Sequence, residues 1–302
     1  MFRRKPHPHS VRLSIEALES RTNPAGNVAA VQVGTTLIVT GDALGNDITI
    51  AGDSTSGYTV TGNDDTTVNG SSSATFTGIT DMVIRLNQGD DTLNLGTGPS
   101  PGAFDTFDLS GNLTIDLGQG NDTLEFDGAG VGGTTSIRGR QGDDSISFTD
   151  SGFSGNVTVL LEQGNDFLFI DNGTFAKNLT IDGAAGNDFI SIGDGTILGT
   201  LTINGGAGGD TVDIQTVGGS SSAKKLVIDT GSGNDSVFTN ADSLFGSVSV
   251  STTVTINFGA GNDKIFAAFY SVGNPSSSLV DGGPGTDTIL LLSPLLPTIN
   301  FE

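Results

Sequence analysis

A three-residue phrase returns along this chain at a fixed interval: a glycine, then asparagine or aspartate, then aspartate. Gly120-Asn121-Asp122 recurs as Gly142-Asp143-Asp144, Gly164-Asn165-Asp166, Gly186-Asn187-Asp188 and, with a glycine in the middle, Gly208-Gly209-Asp210, each step being 22 residues. Looser copies extend the series on both sides, with Gly45-Asn46-Asp47 and Gly89-Asp90-Asp91 before it. Gly233-Asn234-Asp235, Gly261-Asn262-Asp263 and Gly285-Thr286-Asp287 follow it. Asp47 and Asp91 are 44 residues apart, which reads as two periods. A period in the twenties marks a solenoid, because one such unit cannot bury its own apolar face and must stack on its neighbours.

Aligning the regular units shows which positions face inward. Before the turn, one column reads Leu113, Thr135, Val157, Leu179, Leu201, and two residues on another reads Ile115, Ile137, Val159, Ile181, Ile203. After the turn come Leu124, Ile146, Leu168, Ile190, Val212 and then Phe126, Phe148, Ile170, Ile192, Ile214. Apolar and polar residues alternate on both sides, the period-2 pattern of a strand with one buried face. A further column, Val131, Phe153, Phe175, Ile197, indicates a third, shorter inward segment. Three strand-like segments per unit predict an all-β fold, a single right-handed parallel β-helix of about 22 residues per coil with coils about 4.8 Å apart. Helix is disfavoured by the β-branched columns and by the glycines that interrupt them.

The reading divides the chain into a leader at 1–26 and a β-helix at 27–302, with an irregular coil or projecting hairpin at 52–82 and a C-terminal cap at 289–302. Residues 52–82 are rich in Ser, Thr and Gly and lack a turn phrase where one is due. At the far end, Pro294 and Pro297 among leucines suit a cap, since proline cannot extend a strand ladder. The first 21 residues carry five basic and two acidic side chains, a net +3, so the rest of the chain holds −25 of the total −22. Arg3, Arg4 and Lys5 lack the apolar stretch of a signal peptide behind them. Instead Leu18-Glu19-Ser20-Arg21 followed by Pro24-Ala25 resembles the leader of large secreted or surface proteins of some bacteria, and the resemblance implies a place outside the cell or on its surface. Val11, Ile15 and Leu18 also fit one face of a short amphipathic helix.

So acidic a body excludes nucleic acid and anionic membranes as partners and favours cations. No run of about 18 apolar residues is present to insert into a membrane, and without cysteine there is neither a disulfide framework nor a thiolate metal site. Stacked coils would bring Asp122, Asp144, Asp166, Asp188 and Asp210 within one strand spacing of each other. Such a row needs raised pKa values, backbone hydrogen bonds or bound cations to exist. Ca²⁺, which takes carboxylate and carbonyl oxygens in flexible geometry, is the natural cofactor.

Two segments go further. Gly205-Gly206-Ala207-Gly208-Gly209-Asp210-Thr211-Val212-Asp213 and Gly282-Gly283-Pro284-Gly285-Thr286-Asp287-Thr288-Ile289-Leu290 both fit the nonapeptide G-G-x-G-x-D-x-U-x. From about residue 41 to 291 the chain therefore resembles the hemolysin-type (repeats-in-toxin) calcium-binding proteins. The resemblance implies Ca²⁺ held by Asp91, Asp122, Asp144, Asp166, Asp188, Asp210, Asp235, Asp263 and Asp287, with backbone carbonyls from Gly120, Gly142, Gly164, Gly186 and Gly208. It also implies a structural or adhesive role toward cell-surface or matrix components. The pattern departs from the family in having one match per coil instead of tandem nonapeptides, so at most one row of sites is expected. A metal-free turn explains the Gly and Asn, which tolerate positive φ, but less well the Asp that ends every copy.

Two other functions are weighed against this. A carbohydrate-active β-helix enzyme, a polysaccharide lyase or hydrolase, would need basic residues beside carboxylates and usually aromatic platforms. Seven Arg or Lys follow residue 21 and Trp is absent, so no catalytic residue is assigned. Arg138 and Arg140 read as surface ion-pair partners of Asp143 and Asp144. A Thr ladder for crystal recognition (Thr114, Ser136, Thr158, Thr180, Thr202) is broken by the irregular column Asp116, Arg138, Leu160, Asp182, Asn204 beside it.

Overall fold

A computed structural model describes residues 26–96, 106–217, 223–239, 248–267, 269–291 and 298–299. Residues 1–25 of the leader and the cap prolines Pro294 and Pro297 lie outside the described residues. The fold is all-β, built from a 13-stranded and a 16-stranded sheet whose strands run parallel except near the N-terminal end. Leu113 lies opposite Thr135, Thr135 opposite Val157, Val157 opposite Leu179 and Leu179 opposite Leu201. Each coil thus lays its strand on the equivalent strand one period later, as the columns predict.

All five inward columns are buried, and every Ile, Leu, Val and Phe in them is at most 2% exposed. Each contributes about 1.5–3 kcal/mol by leaving water. Like stacks on like along the axis: Phe126 on Phe148 with ring centroids 4.8 Å apart, and Phe153 on Phe175 at 5.2 Å. The third inward segment is also real, since Val131 pairs with Phe153 and Phe153 with Phe175. Strand order therefore follows from stacking of adjacent repeats instead of long-range pairing.

The N-terminal end departs from the expectation. The strands there are β1 (Asn27–Val33), β2 (Thr36–Thr40), β3 (Asp47–Asp53), β4 (Gly57–Gly62), β5 (Thr67–Val68), β6 (Ser73–Phe76), β7 (Asp81–Arg85) and β8 (Thr92–Leu95). β2 pairs directly with β7, and β3 with β8, so the 44-residue interval is one coil with an insert and not two coils. The insert does not project. β4 runs antiparallel to β3 and β6 antiparallel to β4, while β1 lies antiparallel on β2 and carries β5. Tyr58, Val60 and Val68 are fully buried, so this segment covers the open end of the core and its unpaired strand edges. The Tyr58 hydroxyl donates to the Asp108 carbonyl, which satisfies the one polar atom the ring brings inside. At the other end, Thr298–Ile299 adds one more strand beside Leu279–Asp281.

Candidate metal centre

The repeated phrase forms the corner between the two sheets. Its glycine takes positive φ in each regular coil, 139° at Gly186, and packs directly on the glycine one coil earlier. A Cβ at Gly186 would stand 1.5 Å from the carbonyl oxygen of Gly164, so only glycine lets the coils approach. The carbonyls of Gly120, Gly142, Gly164 and Gly186 each aim at the next glycine in this column. The middle residue makes an outer ladder. Asn165 N–H donates to Asp143 Oδ1 at 2.6 Å, Asn187 N–H to Asn165 Oδ1 at 2.9 Å, and Gly209 N–H to Asn187 Oδ1 at 2.6 Å.

The aspartates make an inner ladder of opposite polarity. Asp122 N–H donates to Asp144 Oδ1 at 2.9 Å, Asp144 N–H to Asp166 Oδ1 at 2.7 Å, Asp166 N–H to Asp188 Oδ1 and Asp188 N–H to Asp210 Oδ1, both at 2.9 Å. The ladder continues through Asp91, Asp235 and Asp263 to Asp287. Its first rung is Asn46, not Asp47: the buried Asn46 donates both its N–H and its Nδ2 to Asp91 Oδ1. Register puts Asp47 opposite Thr92, one residue past the ladder. All nine sequence-predicted aspartates thus lie in one row, and eight of them, Asp91 to Asp263, are at most 2% exposed.

One oxygen of each carboxylate is accounted for by an amide. The other is not. Oδ2 of Asp91, Asp122, Asp144, Asp166, Asp188, Asp210, Asp235, Asp263 and Asp287 is buried without a hydrogen-bond partner. Buried unpaired carboxylate oxygens are costly, so the folded state must supply a proton or a cation. Burial accordingly drives the carboxyls above the ordinary carboxylate range: Asp144 to about 8, Asp91 to about 7, and Asp122, Asp166, Asp188, Asp210 and Asp263 to about 6. The hydrogen bond from the preceding coil opposes the shift at each, and the charges of nearby aspartates add to it. Asp235 is also raised by burial, opposed by the Asp210 amide.

What these oxygens face bears on the cation. At Gly139 an added Cβ would sit 2.3 Å from Asp144 Oδ2 and 2.6 Å from the Leu161 carbonyl oxygen. The same holds for Asp188 Oδ2 and the Gly205 carbonyl at Gly183, and for Asp210 Oδ2 and the Thr230 carbonyl at Gly205. At these three glycines a carboxylate oxygen and a carbonyl oxygen therefore border the same spot. In the Asp235 coil that spot carries Thr230, whose hydroxyl donates to the Phe258 carbonyl at 3.0 Å. The donor set is thus hard oxygen, which fits Ca²⁺. The carbonyls beside Oδ2 are those of Leu161, Gly205 and Thr230, which spacing along the sequence does not single out. Among the described residues no three His, Asp or Glu side chains converge, so backbone oxygens would have to complete any shell.

The arginines are also placed differently from the sequence reading. Arg140 pairs with Asp116, Nε to Oδ1 at 3.0 Å and Nη2 to Oδ2 at 2.7 Å, and its Nη1 lies 3.7 Å from Glu162 Oε2, while Asp144 is buried in the ladder. Arg138 makes no ion pair among the described residues. A second unforeseen feature is an aromatic pair on the outer face after the turn, where Phe167 and Phe189 stand exposed with rings stacked at 5.5 Å. Their column otherwise holds polar residues, mostly Thr and Ser, with Asp47 and Lys264 toward its ends. Compared with protein-family models, curated proteins and solved structures, the chain finds no match. No helix among the described residues is long and apolar enough to cross a membrane.

Proposed function

We propose that this protein is a secreted or surface-attached, non-catalytic β-solenoid of the hemolysin-type calcium-binding kind, stiffened by Ca²⁺ along its aspartate row and serving as a structural or adhesive module. The observation that carries the reading is the run of nine buried, unpartnered Oδ2 atoms. Asp91, Asp122, Asp144, Asp166, Asp188, Asp210, Asp235, Asp263 and Asp287 would each supply one oxygen, joined by carbonyls such as those of Leu161, Gly205 and Thr230. Bound Ca²⁺ would supply the positive charge that lets these acceptors sit together. A place outside the cell follows the leader-like segment at 1–26. A non-catalytic role is supported by Asp116 and Glu162 both being held by Arg140 among the described residues.

A second reading is favoured by the inner ladder itself. Each Oδ1 already bonds an amide, so the turn closes without metal, and a proton on each Oδ2 would neutralise the row. Melting chelator-treated protein with added Ca²⁺ separates the two. Metal bound only to the folded state adds RT ln(1 + [L]/Kd), about 2.7 kcal/mol at a hundredfold excess over Kd. A melting temperature indifferent to micromolar through millimolar Ca²⁺ selects the protonated row.

A further inference from the structure

On the outer face of the solenoid, where each strand bends toward the turn, lies a cleft of about 350 Å³. Register lines up Gly118, Arg140, Glu162, Ala184, Gly206 and Gly231 at this bend. All take positive φ, and three of them are the glycine that such backbone favours. The coils that build the cleft instead place Arg140 (φ 90°) and Glu162 (φ 78°) there. Holding long charged side chains in an unfavourable backbone is a sign of use, because nothing in the stacking requires them.

The chemistry of the walls is specific. Arg140 is clamped between Asp116 and Glu162, so its charge is neutralised and its position fixed. Arg85 is exposed at the cleft and makes no ion pair among the described residues. Gln119, Gln141 and Gln163 stand in register on three successive coils with side-chain amides that bond nothing among the described residues. The cleft is therefore a row of amide donors and acceptors, repeated once per coil, ending at one free guanidinium. Arg85 and Arg140 balance Asp116 and Glu162, so the cleft is formally neutral on a chain of net charge −22, and Arg85, in register beside Asp116, is its unpaired guanidinium.

We propose that this cleft binds an acidic sugar, a hydroxyl-rich ring carrying one carboxylate, presented as a unit of a uronate-containing polysaccharide. A guanidinium fork matches a carboxylate bidentately, and unpaired amides match ring hydroxyls. The volume is at the small end for ligand sites and suits one or two sugar units. A repeating polar row suits a repeating polymer laid along the solenoid axis. The aspartate row is not part of this site. The cleft gives the adhesive role proposed above a ligand, and it stands whether or not the protein binds Ca²⁺.

The test is calorimetric titration of the full chain, in calcium-containing buffer, with trigalacturonate and with the same trimer after its carboxylates are reduced to alcohols. Trigalacturonate is expected to bind about tenfold or more tightly than the reduced trimer, the factor a charged hydrogen bond supplies. Arg85→Gln is expected to abolish that preference while leaving the circular dichroism unchanged, because Arg85 is exposed and unpaired. Gln141→Ala is expected to weaken both trimers alike. No binding of either trimer at millimolar concentration overturns the proposal. So does equal affinity for the two, or an Arg85→Gln variant that discriminates as the wild type does. Failure of calcium to affect stability bears on the aspartate row alone.

Discussion

Replacing Gly186 with alanine tests how the coils meet at the corner. The new Cβ would lie 1.5 Å from the Gly164 carbonyl oxygen and 2.5 Å from its carbon, both backbone atoms that no rotamer change can move. The backbone at Gly186 has φ of 139°, outside the left-handed well that other residues visit. Strain of this kind costs about 1–3 kcal/mol. Forcing the coils apart adds a further overpacking cost of about 1–3 kcal/mol. Gly186→Ala should therefore cost about 2–6 kcal/mol. Gly128→Ala is the control: φ there is 63°, and an added Cβ meets nothing within 4 Å. Its cost is the left-handed penalty alone, about 1–2 kcal/mol. Urea unfolding followed by circular dichroism reads both, as shifts of midpoint at constant slope. Equal destabilisation by the two alanines would refute the argument, because the corner would then not be set by glycine-on-glycine contact.

Three further outcomes follow from the same geometry. Ile181→Asp buries an unpaired charge in the middle of a stack and should cost about 3–5 kcal/mol, while the outward neighbour Thr180→Asp should stay within about 0.5 kcal/mol; equal costs would put the strand register off by one. Asp166→Asn keeps an oxygen for the Asp144 amide and removes the charge, so under the cation reading it should weaken calorimetric Ca²⁺ binding, and wild-type affinity would remove Asp166 from the ligand set. With chelator present, the raised carboxyls make the folded state hold more protons than the unfolded chain above pH 3.8. Stability should then fall as pH rises toward about 6, and further to about 8 where Asp144 deprotonates. Asp144→Asn should flatten the upper part of that fall in melting curves, and an unchanged profile would show that Asp144 does not titrate there.

The regular middle was legible because stacking makes the sequence periodic. Ile115, Ile137, Val159, Ile181 and Ile203 share a column in the sequence and a stack in space for the same reason. The insert at the N-terminal end was harder to place. Its strands pair antiparallel with β3 and one another, a tertiary arrangement that leaves no period, and reading 44 residues as two coils put Asp47 where Asn46 belongs. The aspartate row was legible as a row, but its chemistry was not. Which oxygen meets an amide, and that Leu161, Gly205 and Thr230 turn carbonyls toward the other, depends on how the backbone bends before the corner. The cleft stayed hidden because Arg85, Asp116, Arg140 and Glu162 come from four coils and meet across them, whereas adjacency in sequence points Arg140 toward Asp143 and Asp144. Phe167 and Phe189 break an outward polar column, and only the folded face shows them side by side.

A crystal structure of the full chain grown in calcium, with anomalous diffraction recorded at long wavelength, tests the central claim most directly. The account expects anomalous peaks along the corner beside Oδ2 of Asp144, Asp188 and Asp210. Each should have carboxylate and carbonyl oxygens at about 2.3–2.6 Å, the contact distance of Ca²⁺. A row without anomalous density, with each Oδ2 drawn to about 2.5–3.0 Å from a carbonyl oxygen as a shared proton would draw it, would contradict the cation reading and leave a protonated ladder in its place.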